Sequence, residues 1–203
     1  MHWLIGTSTA LTLGLLCGHA ALADAPQQQI EQPPAGDDNR STQLKREWLH
    51  QFVGTWVSVG TVTPGEGVPP ITMKGTMTAR LLGNRWLTCE YNGPMPGGGK
   101  MAALQTIGFN ETTGRYVGTW VDSSADYLWK YDGELSADGK TLSMSAEGPR
   151  MAEDGSGLKE GTTQLYRDSY TITSPDLIEA TSELQLPDGT WQTFVTSRMK
   201  RVK

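Results

Sequence analysis

From Gly54 onward the chain consists of short segments in which apolar and polar residues alternate, separated by turns rich in Gly, Asn and Asp. The Asp-Gly pairs at Asp138-Gly139 and Asp188-Gly189 are strong hairpin signals, because tight hairpin turns require positive φ angles. No segment after residue 52 has the length and period of an amphipathic helix. The sequence therefore predicts an all-β fold of hairpin-linked strands.

We count about ten strands from these turns. They lie near 54–63, 71–81, 85–92, 102–109, 115–122, 126–135, 140–148, 160–173, 177–186 and 190–202. A long series of hairpin-linked strands favours a closed antiparallel up-and-down barrel, in which no sheet edge is left open. A β-sandwich is the alternative architecture.

An aromatic residue followed by Val-Gly-Thr-Trp occurs twice, at residues 52–56 and at residues 116–120. This pattern is typical of a strand that begins at a close backbone contact and places an indole in the core. We therefore expect one Trp anchor in each half of the barrel.

Residues 1–23 have the features of a secretory signal peptide. An apolar run from Leu4 to Leu16 precedes a small-residue cleavage pattern, Ala-Leu-Ala, just before Asp24. The run is shorter than the roughly 20 apolar residues that a membrane-spanning helix needs. We predict cleavage, no spanning segment in the mature chain, and a periplasmic or extracellular location. Lipidation of Cys17 is the alternative, although Leu16 stands where a small residue is expected.

Residues 24–42 are rich in Gln, Pro, Asp and Gly, a composition that predicts a disordered tether. After the tether, Leu44, Trp48 and Leu49 fall at helical spacing. We therefore predict a short N-terminal helix that leads into the first strand, and a single barrel domain over residues 43–203.

Charge and metal-ligating residues exclude several classes of partner. The chain has 17 Lys and Arg against 22 Asp and Glu, so it lacks the excess of positive charge that nucleic-acid binding needs. Outside the predicted signal peptide, Cys89 is the only cysteine and His50 the only histidine. A disulfide within the mature chain and a four-ligand zinc site are therefore not expected. We predict no metal and no cofactor.

Alternation also predicts which side chains face the barrel interior. Cys89 shares a face with its neighbours at positions 87 and 91, so we interpret it as a small buried strand residue and not as an activated thiol. Met and aromatic side chains in a barrel interior can adapt to a ligand, and a packed core is the alternative. The side chains predicted to face inward are Met73, Met77, Leu81, Tyr127, Trp129, Tyr131, Leu135, Leu142, Met144 and Ala146.

Two carboxylates on otherwise apolar faces are candidate functional residues, because a buried carboxylate is costly unless it is paired or used. Glu90 shares a face with Trp86, and Asp122 shares a face with Trp120. If both indoles point inward, the carboxylates can bind a cation, accept hydrogen bonds from a polar head group, or act as acid and base. The alternative is a solvated rim or ion pairs with nearby arginines, which are Arg80, Arg85, Arg115 and Arg167.

The chain carries an ordered series of short motifs, which are Phe-Val-Gly-Thr-Trp at 52–56, Leu-Gly-Asn-Arg-Trp-Leu at 82–87, Glu-Tyr-Asn-Gly at 90–93, Met95 with Gly97-Gly98, Ile-Gly-Phe-Asn at 107–110, 116–120 with Asp122-Ser123, and Arg-Met-Lys-Arg at 198–201. This series resembles the bacterial domain-of-unknown-function 1579 family over about residues 44–202. The resemblance implies a calycin-like barrel and exported or envelope proteins, and it brings no established activity.

The Gly-x-Trp at the start of the first strand also resembles lipocalins, with an Arg late in the last strand available to pack over the indole. Arg198 and Arg201 are both available, and we assign Trp56 and Arg198 as a structural plug. Heme-binding barrels of the nitrobindin type open with a similar motif, but they hold iron with a His late in the barrel. Because His50 precedes the barrel, we interpret it as a surface or helix-end residue and predict no heme.

These observations predict an exported barrel that binds a small hydrophobic or amphipathic molecule. The candidate ligand-binding residues are Trp86, Glu90, Trp120, Asp122 and Trp129. One alternative is a barrel enzyme that uses Glu90 and Asp122 as acid and base. The other is a filled, ligand-free barrel that serves as an envelope interaction module. A cavity of roughly 300 Å³ or more would separate ligand binding from the filled barrel.

Overall fold

The computed structural model describes residues 35–63, 68–95, 98–151 and 158–203. The predicted signal peptide, and the predicted tether up to residue 34, lie outside this part of the chain. Helix α1 covers Ala35–Trp48 and is followed by a 3-10 helix over Leu49–Phe52. The helix thus begins within the residues predicted to be a tether. No helix in the described part combines the length and apolarity needed to cross a bilayer.

Ten strands follow the 3-10 helix, and each is antiparallel to its neighbours. The last strand pairs with the first, with Trp56 opposite Arg201, and this pairing closes the barrel. The predicted up-and-down barrel is confirmed, and the sandwich alternative is wrong. The strands are β1 Gly54–Val62, β2 Ile71–Leu82, β3 Trp86–Pro94, β4 Lys100–Asn110, β5 Arg115–Asp122, β6 Ala125–Leu135, β7 Thr141–Met151, β8 Leu158–Ser174, β9 Leu177–Gln185 and β10 Trp191–Arg201.

The predicted Asp-Gly turns link β6 to β7 and β9 to β10. Gly139 has a φ of 69° and Gly189 a φ of 85°, in the left-handed region that favours glycine. In both turns the preceding Asp accepts a hydrogen bond from the backbone N–H two residues on, at Lys140 and at Thr190. Local sequence thus favours both of these hairpin turns.

One half of the barrel is a packed core built around the 3-10 helix. Phe52 from this helix packs against Trp48 and Tyr170, with ring centroids 5.5 and 5.7 Å apart. The indole N–H of Trp56 donates to the Phe52 carbonyl at 2.7 Å, so this buried polar group is satisfied. The fully buried side chains of this core include Leu49, Phe52, Trp56, Met77, Leu87, Ile107, Tyr116, Leu142, Met144 and Ile178.

Arg201 covers Trp56 at this closed end. Its guanidinium carbon lies 4.1 Å from the centroid of the indole, in the geometry of a cation–π contact. Arg201 also donates to the backbone carbonyls of Gln51 and Pro175, each at 2.8 Å, and to that of Val53. One side chain therefore joins β10 to the 3-10 helix and to the β8–β9 turn.

The assignment of Arg198 to this plug is wrong. Met199 is buried, so alternation along β10 places Arg201 on the inner side and Arg198 on the outer side. Arg198 is 64% exposed and forms an ion pair with Glu179 at 3.3 Å. The prediction of Trp56 as a buried anchor is confirmed, and its cover is Arg201.

Candidate functional site

The second half of the barrel holds a cavity of about 420 Å³ at the end of β1 away from Trp56. Part of its wall is made by small inward residues of β1, β2 and β3, including Ser58, Gly60, Gly75 and Gly93. Because these residues fill little volume, the interior stays open here, whereas Met and Trp side chains fill the other half.

Large aromatic side chains form much of the remaining wall. Trp120 and Trp129 lie opposite each other on β5 and β6. Tyr91 is 5.0 Å from Trp120, Tyr166 is 4.9 Å from Trp129, and Phe194 is 6.2 Å from Tyr166, measured between ring centroids. We call these five residues the aromatic band. All of them line the cavity, and the inward prediction for Trp129 is confirmed.

A glycine on β7 allows Trp129 to take this position. A Cβ atom placed on Gly148 would lie 2.1 Å from the indole of Trp129, which is well inside van der Waals contact. The ring therefore lies directly over the backbone of the neighbouring strand. The orientation of Trp129 is set by the absence of a side chain at residue 148.

Asp122 holds Trp120 in place at the end of β5. The indole N–H of Trp120 donates to Oδ2 of Asp122 at 2.7 Å. Oδ1 of Asp122 accepts from the backbone N–H of Ser124 at 2.7 Å, and also from the Ser124 hydroxyl. As predicted, the two residues share a face, and both line the cavity. The carboxylate of Asp122 positions an aromatic wall residue and caps the β5–β6 turn.

Glu90 and Trp86 are not part of the cavity, and the prediction that they face inward is wrong. The inner face of β3 is occupied by Leu87 and Cys89, which are 0% and 1% exposed. Alternation then turns Trp86 and Glu90 outward. Glu90 is 57% exposed and lies 3.3 Å from Arg80, which is the ion pair named as the alternative.

Trp86 is outside because it covers a glycine on the neighbouring strand. Trp86 is 41% exposed, and it pairs with Gly108 across β3 and β4. A Cβ on Gly108 would lie 2.6 Å from the indole, so the ring packs flat on the outer backbone of β4. An indole in a strand therefore does not by itself mark the inner face.

Asp168 is a cavity residue that the sequence interpretation missed. It projects inward from β8 between Tyr166 and Tyr170, and all three residues line the cavity. The hydroxyl of Tyr131 donates to Oδ2 of Asp168 at 2.7 Å, and Ser182 also hydrogen-bonds to this carboxylate. Burial raises the pKa of Asp168, and the two hydrogen bonds oppose part of that rise.

A second set of hydrogen bonds lies beside Asp168. Gln105 is 1% exposed; its amide N–H donates to the Tyr170 hydroxyl at 2.9 Å, and its carbonyl oxygen accepts from Tyr91 at 3.3 Å. Burial raises the pKa of both tyrosines, so their hydroxyls stay neutral. We call Gln105, Tyr131, Asp168, Tyr170 and Ser182 the polar floor. Tyr170 also contacts Phe52 of the packed core, so this set lies where the cavity meets that core.

The sequence contained a signal for Asp168. A carboxylate stands two residues from Tyr166 and two residues from Tyr170 within a predicted strand. With period-two alternation this arrangement places Asp168 on an aromatic face. The same pattern that makes Glu90 and Asp122 candidates therefore also marks Asp168.

Metal and thiol chemistry find no support in the described residues. No group of three or more His, Cys, Asp and Glu side chains in this part of the chain is arranged to hold a metal. His50 is exposed on the 3-10 helix, as predicted. Cys89 is buried, and burial raises the pKa of its thiol to about 12, so it is not an activated nucleophile.

The sequence profile of a family described as "Protein of unknown function (DUF1579)" matches residues 41–201. No curated protein sequence matches the chain. Solved structures that share the fold include the following two. Rv2717c from M. tuberculosis has a TM-score of 0.57 at 15% identity, and the match covers 77% of this chain and 96% of that one.

The S-type phycobiliprotein lyase CPES from Guillardia theta has a TM-score of 0.52 at 12% identity, and the match covers 78% of this chain and 93% of that one. At such low identity these two structures support the barrel fold alone. The residues that line the cavity must therefore be interpreted from their own chemistry.

Proposed function

The chain belongs to the DUF1579 family, whose description assigns no function, and we propose that it binds a small, partly apolar molecule in the open half of its barrel. The observation that carries this proposal is the cavity of about 420 Å³. Its volume falls within the range of about 300–1,000 Å³ that is usual for small-molecule sites.

The make-up of the cavity wall supports the same proposal. Small-molecule sites are usually lined by apolar and aromatic side chains with a few polar groups that fix orientation. The aromatic band supplies the aromatic lining, and the polar floor supplies the polar groups. We propose Trp120 and Trp129 as ligand-contacting residues, with Asp122 holding the Trp120 indole.

Two alternatives receive less support. A filled interaction module requires a continuous apolar interior, and the cavity does not fit that requirement. An acid/base pair of Glu90 and Asp122 requires both carboxylates to reach one ligand. Glu90 is on the outer surface with Arg80, whereas Asp122 lines the cavity, so the two do not converge.

A neutral apolar dye tests the proposal. We expect N-phenyl-1-naphthylamine to bind the protein with saturable, stoichiometric enhancement of dye fluorescence, quenching of Trp emission and a rise in melting temperature. Each effect follows from a dye that enters the aromatic band and binds only the folded protein.

Cavity filling provides the matched control. Ala180 lines the cavity, whereas the adjacent Glu179 is exposed on the outer face of β9. Ala180→Phe should abolish dye binding and Glu179→Phe should leave it unchanged. Equal dye binding by both variants, or no saturable binding by the wild-type protein, would overturn the proposal.

Export also stays a proposal. It rests on the apolar run and small-residue pattern in residues 1–23. Cell fractionation followed by N-terminal sequencing is the test: we expect the protein in an exported fraction with a new N-terminus near Asp24. Recovery of the uncleaved chain from the cytoplasm would contradict it.

A further inference from the structure

Asp168 is a carboxylate inside an aromatic cavity, and its protein partners are neutral. The partners are the hydroxyls of Tyr131 and Ser182. Several other described carboxylates pair with arginines, such as Glu183 with Arg167 at 2.8 Å, whereas Asp122 in the same cavity is held by the neutral partners Trp120 and Ser124. Within the described residues no Lys or Arg forms an ion pair with Asp168.

The other ionisable groups around Asp168 do not supply a positive charge. Tyr91, Tyr131 and Tyr170 face it from β3, β6 and β8, and burial raises the pKa of each. Tyr166 and Asp122 also line the cavity, and neither carries a positive charge. Lys74 contributes to the lining, but its side chain is exposed and, among the described residues, it makes no ion pair with Asp168.

A carboxylate in such a place is costly to ionise. Two neutral hydrogen bonds compensate only part of the hydration that the charged form loses on burial. A cationic group placed beside Asp168 would remove that cost, because the opposite charge favours the ionised carboxylate. A positively charged hydrogen-bond donor therefore has the chemistry that complements Asp168.

The aromatic band independently favours a cation. Indole and phenol faces attract positive charge through their ring quadrupoles, and the attraction grows when the site excludes water. Trp120 and Trp129 are neighbours on adjacent strands, and Tyr166 is 4.9 Å from Trp129. These rings line the same cavity as Asp168, so a cation bound there would have aromatic neighbours.

We propose, on the basis of the binding function above, that the cavity selects amphipathic amines: an apolar body in the aromatic band and a protonated nitrogen at Asp168. The observations that carry this proposal are the position of Asp168 between Tyr166 and Tyr170 on the cavity wall and its lack of a cationic partner in the described chain. Asp168 is then the residue that determines specificity, and the aromatic band contributes general affinity.

A series of probes that share the naphthalene ring system and differ in their polar group tests this selectivity. The probes are 2-ethylnaphthalene, 2-naphthalenemethanol, 2-naphthalenemethylamine and 2-naphthoate, each titrated by calorimetry and Trp quenching. We expect the amine to bind at least about tenfold more tightly than the alcohol or the hydrocarbon, since a charge-assisted hydrogen bond is stronger than a neutral one. The carboxylate should bind most weakly because it repels Asp168.

Two variants test whether Asp168 causes the preference for the amine. Asp168→Asn should remove the advantage of the amine while leaving 2-ethylnaphthalene binding in place, since the apolar wall is unchanged. Glu90→Gln removes an outer-surface carboxylate and should leave the whole series unchanged. If Asp168→Asn does not fold, the wild-type series still decides between amine, alcohol and carboxylate.

The possible failures are distinct. Absence of binding for every probe would overturn the proposed function itself. Equal binding of amine and hydrocarbon, or preference for the carboxylate, would overturn the amine selectivity and leave the binding proposal intact. An amine preference that persists in Asp168→Asn would exclude Asp168 as its cause.

Discussion

The ionisation of Asp168 links the cavity to the stability of the protein. Folding raises the pKa of this carboxyl, so the folded state holds the proton more tightly than the unfolded state does. The stabilising effect of that proton is fully present below the unfolded pKa of about 3.9 and is lost as pH rises through the folded pKa. Above that pH the ligand-free protein bears the full cost of a buried charge.

Asp168→Asn should therefore stabilise the ligand-free protein near pH 7. Each unit by which folding raises a pKa costs about 1.4 kcal/mol at high pH, and the amide can hydrogen-bond to the hydroxyls of Tyr131 and Ser182. We expect the variant to have a higher unfolding free energy than the wild-type protein at pH 7–8, measured by urea denaturation.

The gain should shrink as the pH is lowered through the unfolded pKa of about 3.9, because below it both states of the wild-type protein bind the proton. A variant that is less stable than wild type at pH 7, or a difference that does not change with pH, would contradict this account. Glu90→Gln, which removes an exposed carboxylate on the outer surface, is the control variant.

Cys89 should be protected from alkylation. Its thiol is 1% exposed and its pKa is raised to about 12, so both access and thiolate fraction are low. At pH 7.5 we expect N-ethylmaleimide to modify Cys89 at least about 100-fold more slowly in the folded protein than in denaturant. Peptide mass spectrometry locates the label, and similar rates in both conditions would contradict the burial.

At the scale of elements, β7 and β8 build the site together. β8 presents Tyr166, Asp168 and Tyr170 to the interior, while Gly148 on β7 leaves space for the indole of Trp129. The two strands pair along their length, with Gly148 opposite Gln164. One hairpin thus contributes to both the polar floor and the aromatic band.

Gly148→Ala should disturb the band from outside the cavity. Its new methyl group would lie 2.1 Å from the Trp129 ring, so the indole must move into the cavity. Overpacking of this kind costs about 1–3 kcal/mol. We expect a lower melting temperature and weaker binding of N-phenyl-1-naphthylamine, together with a shift in Trp emission.

A double variant tests the cause. In a Trp129→Leu background the clash is absent, so Gly148→Ala should cost little further stability. If the cost of Gly148→Ala is the same in both backgrounds, the indole is not the neighbour that requires the glycine.

Element-level prediction from the sequence succeeded where turns and alternation agreed. The strand β6 was assigned correctly, with Trp129 and Tyr131 inward and Lys130 outward. The prediction of the inner face of β3 is wrong, because it rests on the indole of Trp86 pointing inward. The glycine that Trp86 covers is on another strand, and pairing between strands cannot be read from one segment.

At the scale of the whole molecule, the barrel has one closed end and one open end. The closed, hairpin-linked architecture was predictable from the turns and the two Gly-Thr-Trp motifs. Which half of the barrel is filled was not predictable from the sequence. The open volume depends on small residues from β1, β2 and β3 that face aromatic residues from β5, β6 and β8. Only the relative register of these strands brings the two sets together.

Arg201 should contribute far more to this architecture than Arg198. Arg201→Ala removes a cation–π contact with Trp56 and hydrogen bonds to backbone carbonyls, so we expect a loss of about 2–4 kcal/mol of unfolding free energy. Arg198→Ala removes one exposed ion pair with Glu179 and should change stability by less than about 1 kcal/mol. Denaturant titrations of both variants give the comparison, and equal losses would contradict the assignment of Arg201.

The pairing of β1 with β10 also has a kinetic consequence. In the described barrel every other pairing joins strands that follow one another in sequence, and these can form as local hairpins. Joining the first and last strands requires closure of a loop that spans nearly the whole domain. The chain loses conformational entropy in this closure before the contacts between β1 and β10 can compensate the loss. We therefore infer that the ring closes late in folding, so that loss of Arg201 accelerates opening and leaves the rate of folding almost unchanged.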